Sequence, residues 1–127
     1  MLDKSDKIVV VSGREILRVT CNAERSNPPP KFRWEVQPFP CGSQNYSSCK
    51  PNPRLWKHVI PGKEKEFVVD PANVASMDSS LNVLRKSKVR RFFMRCTAET
   101  KYGSDSHVIL GVRDDRGKSY NLIVLEG

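Results

Sequence analysis

No apolar run in this 127-residue sequence approaches the length of a membrane span. Its opening, MLDKSDK, is charged and has no hydrophobic h-region, so no secretory leader is expected in it. No C-x-x-C pair occurs, and the two histidines, His58 and His107, stand apart. A structural zinc site normally brings two ligands together on a tight turn, so neither a metal nor a cofactor is expected. A nucleophile–base motif is lacking too. Two close carboxylate pairs exist, Glu64 with Glu66 and Asp114 with Asp115, but basic residues interleave or flank them. They suit solvated strand ends better than catalysis, and no enzyme is expected. Helical periodicity, internal repeats and low-complexity segments are also missing.

Positive charge is plentiful: 22 Lys and Arg stand against 14 Asp and Glu, a formal net charge of +8. Such a balance favours acidic partners through long-range attraction and counterion release. An ordinary solvated basic surface would give the same count. The length fits one domain able to bury its own core. Four cysteines, Cys21, Cys41, Cys49 and Cys96, are an even number with wide spacing, which suits two disulfides and an oxidising compartment. Asn45-Tyr46-Ser47 is an N-x-S acceptor for glycosylation between two of them, in keeping with a secreted setting. An extracellular chain with this N-terminus is expected to be a piece of a secreted or single-pass membrane protein.

A period of two runs through most of the chain. KIVVVS (7–12) and EILRVTCNAE (15–24) read as strands, the second with Leu17, Val19, Cys21 and Ala23 on one face. SNPPPK breaks the pattern, since proline cannot donate to a sheet ladder. FRWEV (32–36) turns Phe32, Trp34 and Val36 inward. The next thirty residues are irregular and proline-rich. EFVVD (66–70), SSLNVL (79–84), FFMRCTAET (92–100) and SHVILGV (106–112) follow as strands, the last two joined by a turn at KYGSD. Many short strands with turn signals between them predict an all-β sandwich or barrel. The core is expected at about 7–113, with 114–127 an extra strand or the lead to a next domain.

Cys21, then Trp34 thirteen residues on, then Cys96, all on inward faces, resemble the immunoglobulin fold, an antiparallel β-sandwich of I-set or C2 type. That resemblance implies Cys21 on strand B, Trp34 on strand C packed against the bridge, and Cys96 on strand F bonded to Cys21. Cys41 and Cys49 are left as an extra pair in the C–E insertion, either a staple or a stiffened binding loop. The usual tyrosine two residues before the F-strand cysteine is replaced by Met94, so the corner hydrogen bond is not expected.

The cysteine pair that follows W-E and P-C, and then LWKHV, resembles more narrowly the membrane-proximal immunoglobulin domains of the vascular endothelial and platelet-derived growth factor receptors. The likeness covers about 15–113. It implies a module that positions two receptor chains, possessing Arg85 where relatives make a homotypic Arg–Asp contact but no acidic partner in KSKVRRFF. SNPPPKFRW is equally at home in adhesion receptors of the nephrin or Sidestep type. The expected partner is another cell-surface or secreted protein, a second copy included, with Tyr102 and Phe39 as candidate anchors. Nucleic acid is not expected, because the aromatics are assigned to the core and no helix is available for a groove. Heparan sulfate fits the basic run better: Arg85, Lys86, Lys88, Arg90 and Arg91 form a candidate glycan-binding edge, with a plain solvated face as the alternative.

Overall fold

A computed structural model describes residues 2–4, 8–12, 16–25, 28–42, 45–73, 75–84 and 90–114. Among them the alternating segments form eight strands: β1 (Ile8–Ser12), β2 (Leu17–Asn22), β3 (Lys31–Pro38), β4 (Lys57–His58), β5 (Phe67–Asn73), β6 (Asp78–Val83), β7 (Arg91–Thr100) and β8 (Gly103–Asp114). They assemble as two sheets, β1-β8-β7-β3-β4 and β2-β6-β5. The all-β, two-sheet sandwich expected from the sequence is the fold found. The run after Asp114, with its apolar SYNLIVLEG, lies outside the described residues.

All pairings are antiparallel except β1 with β8, which is parallel from Ile8 opposite Leu110 to Ser12 opposite Asp114. A parallel pair needs a long crossover, and here nearly the whole domain is that crossover. The chain enters on the other sheet, where Leu2 bridges Ala23, before β1 joins β8. Asp105 ties this entry down: its carboxylate accepts from the Leu2 N–H at 3.1 Å and from Lys4 Nζ at 2.7 Å.

The inward faces meet in one core of Leu17, Val19 and Cys21 from β2, Leu81 and Val83 from β6, and Trp34, Phe92, Met94, Cys96 and Ile109 from the larger sheet. A disulfide joins Cys21 to Cys96 with the Cα atoms 6.5 Å apart. Buried side chains also hydrogen-bond across between the sheets. Trp34 Nε1 donates to Ser79 Oγ, and the buried Arg113 donates through Nη2 to the Val83 carbonyl at 2.9 Å. Met94, standing where a corner tyrosine is usual, is fully buried. It packs against Gly111, whose missing side chain makes the room: a Cβ there would lie 2.8 Å from Met94 Cε and 3.0 Å from the Phe92 ring.

Candidate functional site

The larger sheet carries a second apolar layer on its outer side. Phe93, Leu110, Val112 and Cys49 are buried there, with Ile8, Val10, Phe39, Tyr46 and Trp56 packed around them. What covers this face is the segment between β3 and β4. Cys41 is bonded to Cys49, a short 3-10 turn spans Tyr46–Ser48, and the Phe39 ring sits 5.7 Å from Phe93 and 5.4 Å from Tyr46. Gln37, 1% exposed, fixes the far end of the segment. Its Nε2 donates to the Asn52 carbonyl at 3.0 Å and its Oε1 accepts from the Asn52 N–H at 2.9 Å. The amide thus copies a strand neighbour, satisfying two backbone groups of a loop that has no ladder of its own. The cysteine loop is a staple on a sheet face.

Beyond the cover, the same face is charged and internally paired. Arg95 holds Glu35 by a two-pronged bond, with Nε–Oε1 and Nη2–Oε2 both 2.9 Å, and lies 4.4 Å over the Trp56 ring. Such forked, stacked contacts suit the planar guanidinium. Arg33 reaches Glu99 at 2.9 Å, and the hydroxyls of Thr97 and Ser106 meet at 2.8 Å. The charges of this face are thus matched across strands.

The β7–β8 hairpin ends differently. Thr100 pairs with Gly103, leaving Lys101 and Tyr102 as the turn, shorter than the KYGSD expected. Gly103 has φ +139°, a conformation that side chains rarely adopt, so glycine closes the turn. The Tyr102 N–H donates to Thr100 Oγ1 at 3.2 Å. Tyr102 itself is 81% exposed, with Lys101 Nζ 5.1 Å from its ring. Of the two anchors expected from sequence, Tyr102 is presented to solvent, while Phe39 is half-buried and serves the cover.

Arg85, Lys86 and Lys88 of the basic run lie outside the described residues. Arg90 is exposed, and its carbonyl accepts from the Arg113 N–H at 2.7 Å. Arg91 is half-buried in β7, its guanidinium 5.0 Å over Phe39 and 6.0 Å from Tyr46. Asn45 is exposed at the start of the 3-10 turn, and its carbonyl accepts from the Ser48 N–H and hydroxyl. Among the described residues, no group of three His, Cys, Asp or Glu could hold a metal ion, and no helix is long and apolar enough to cross a membrane.

Solved structures align with the chain over most of its length. A titin domain, M7, superposes with a TM-score of 0.61 at 13% identity, covering 90% of this chain and 92% of that one. The fold is that of an immunoglobulin domain. Dscam1 Ig7, isoform 9, aligns at a TM-score of 0.52 and 16% identity over 89% and 92% of the two chains. One chain of a titin M10–obscurin-like 1 Ig complex gives 0.54 and 16%, over 88% and 92% of the two chains. Identities this low speak to fold alone, and these neighbours do not point to the growth-factor receptor group. No family model and no curated protein matches this chain by sequence.

The cover is what sequence reading missed. Its signal was present: Phe92-Phe93-Met94 and Val108-Ile109-Leu110 are unbroken apolar runs, and a strand buried on both faces reads that way.

Proposed function

We propose that this immunoglobulin domain is a non-catalytic extracellular module that joins a cell-surface protein to a protein partner through the tip of its β7–β8 hairpin. The observation that carries the reading is Tyr102, 81% exposed on a two-residue turn. Tyrosine offers large, rigid contact area with a polar end, and such residues dominate binding energy at interfaces. Support comes from two sides. The stapled segment and the paired charges occupy the broad sheet face, and two disulfides suit an oxidising compartment. The neighbouring titin M10 and obscurin-like 1 domains form a complex in their own structure.

In a growth-factor receptor this role would be the positioning of two receptor chains; in an adhesion receptor it would be contact between cells. Asn45 is exposed and open to a glycan, which would sit on the stapled segment and keep partners off that face. A heparan-sulfate edge draws less support, because the Arg91 guanidinium is stacked on Phe39.

A tetramer of the domain, secreted from animal cells, can be screened against an array of extracellular proteins beside the same tetramer bearing Tyr102→Ala. Binders lost by the variant are expected. An array on which the two tetramers bind alike counts against the tip. Mass loss at Asn45 on treatment with a peptide-N-glycosidase tests the glycan in the same material.

A further inference from the structure

The sandwich has a second surface with no part in the reading above. On one flank both sheets end, at β4 in the larger and β5 in the smaller. Between these edges lies an open groove of about 300 Å³, lined by Val36, Pro38, Leu55, Lys57, Phe67 and Phe92. Phe67 and Phe92 meet edge to face, with ring centres 6.0 Å apart, at the floor. Leu55, 49% exposed, lines it, and Ile60, 44% exposed, follows in the same segment. Concentration of such residues at one edge marks a contact site more often than solvent exposure alone does.

Charge gives the occupant its chemistry. Lys57 is the charged side chain of the lining, and residues 50–66 hold Lys50, Arg54, Lys57, Lys63 and Lys65 against Glu64 and Glu66. Glu64 lies 3.5 Å from Lys57 Nζ, yet the Lys57 side chain stays 69% exposed, and an ammonium has three donors to share. The groove therefore joins an apolar floor to the ammonium of Lys57. Backbone pairing is not the mode of capture: β4 has two residues and lies between Pro53 and Pro61, and β5 carries Pro71 at a register shift. Prolines and irregular edges are what deter an added strand. Side-chain insertion remains.

We propose that this groove takes one large apolar side chain of a protein partner from a segment flanked by Asp or Glu, with Lys57 pairing to a carboxylate. The site is separate from the Tyr102 tip, and either can fail without the other.

The test uses the intact 127-residue domain, isotope-labelled, titrated with the synthetic peptide Gly-Asp-Glu-Phe-Asp-Glu-Gly and followed by amide NMR shifts. Shifts confined to Val36, Leu55, Lys57, Phe67 and Phe92 are expected. Replacing the peptide's Phe with Gly, or Leu55→Glu in the domain, is expected to weaken binding at least about tenfold, the scale of losing one buried side chain. Lys57→Gln is expected to weaken it with little change in melting temperature, since the ion pair it gives up with Glu64 lies at the surface. Three results would overturn the proposal: no shifts in the groove at millimolar peptide, equal binding of the Phe-less peptide, or equal binding of a peptide with Lys in place of its acids. Groove shifts that grow with protein concentration before any peptide is added would assign the site to a second copy instead.

Discussion

The ring of Phe39 lies 5.7 Å from that of Phe93, on the side of the sheet away from the Cys21–Cys96 bridge. A face that most alternating strands leave to solvent is thereby an interior. Its cover is held by the Cys41–Cys49 bond and by the Gln37 side chain. Removing the staple with Cys41→Ser and Cys49→Ser together is expected to cost about 2–3 kcal/mol, the value for closing a short loop. Urea denaturation gives the loss, and binding of a hydrophobic dye is expected to rise as Phe93, Leu110 and Val112 are uncovered. An unchanged midpoint with no dye response would mean that the segment does not pack there.

The indole of Trp34 donates to Ser79 Oγ at 3.0 Å across the core. Ser79→Ala leaves a buried N–H without that acceptor, and unmet buried donors cost about 1–3 kcal/mol. A denaturant titration checks this. Loss below about 0.5 kcal/mol, the usual effect of a surface change, would contradict the role given to Ser79.

Gly111 is required by packing, and its backbone is not in the left-handed region. Gly111→Ala sets a methyl against the Phe92 ring at 3.0 Å and Met94 Cε at 2.8 Å. Overpacking of this kind costs about 1–3 kcal/mol. Adding Met94→Ala is expected to return part of what Gly111→Ala alone loses, relative to the Met94→Ala background. Additive losses in the double mutant would show that Met94 and Gly111 are not in contact.

The Asp105 carboxyl is held below its ordinary pKa, first by the hydrogen bond from Lys4 and then by the one from the Leu2 N–H. A carboxyl depressed in the folded state adds stability above its unfolded pKa of about 3.9. That stability is lost as pH falls through the lower folded value. Asp105→Asn is therefore expected to melt below the parent at pH 7, and the gap to close as pH drops from about 4 towards 2. A gap that stays constant with pH would remove Asp105 as the tether of the N-terminal segment.

The core was legible because Cys21, Trp34 and Cys96 fall on the inward faces that the period of two marks, and together resemble the immunoglobulin pattern. The stapled segment was harder to read, since it has almost no ladder and its anchors are single side chains. Gln37 falls just past the FRWEV strand, at the start of the irregular stretch; only its reach to both backbone groups of Asn52 explains its burial. Phe93 and Leu110 break the alternation, and an apolar run alone does not say what covers the second face. The parallel β1–β8 pair was equally hidden, because no turn joins the two ends of the chain. The exposure of Tyr102 was legible from its turn, while Phe39 could be assigned to packing only once Phe93 and Tyr46 were seen beside it.

The most direct measurement is the affinity of the domain and of Tyr102→Ala for a partner taken from the extracellular array, by surface plasmon resonance, with melting temperatures recorded for both. Tyr102 makes no buried contact that folding depends on, so equal melting temperatures are expected. Affinity is expected to fall at least about tenfold, in line with the 2 kcal/mol or more typical of an interface anchor. Equal affinity in the two proteins would contradict the assignment of the hairpin tip as the contact.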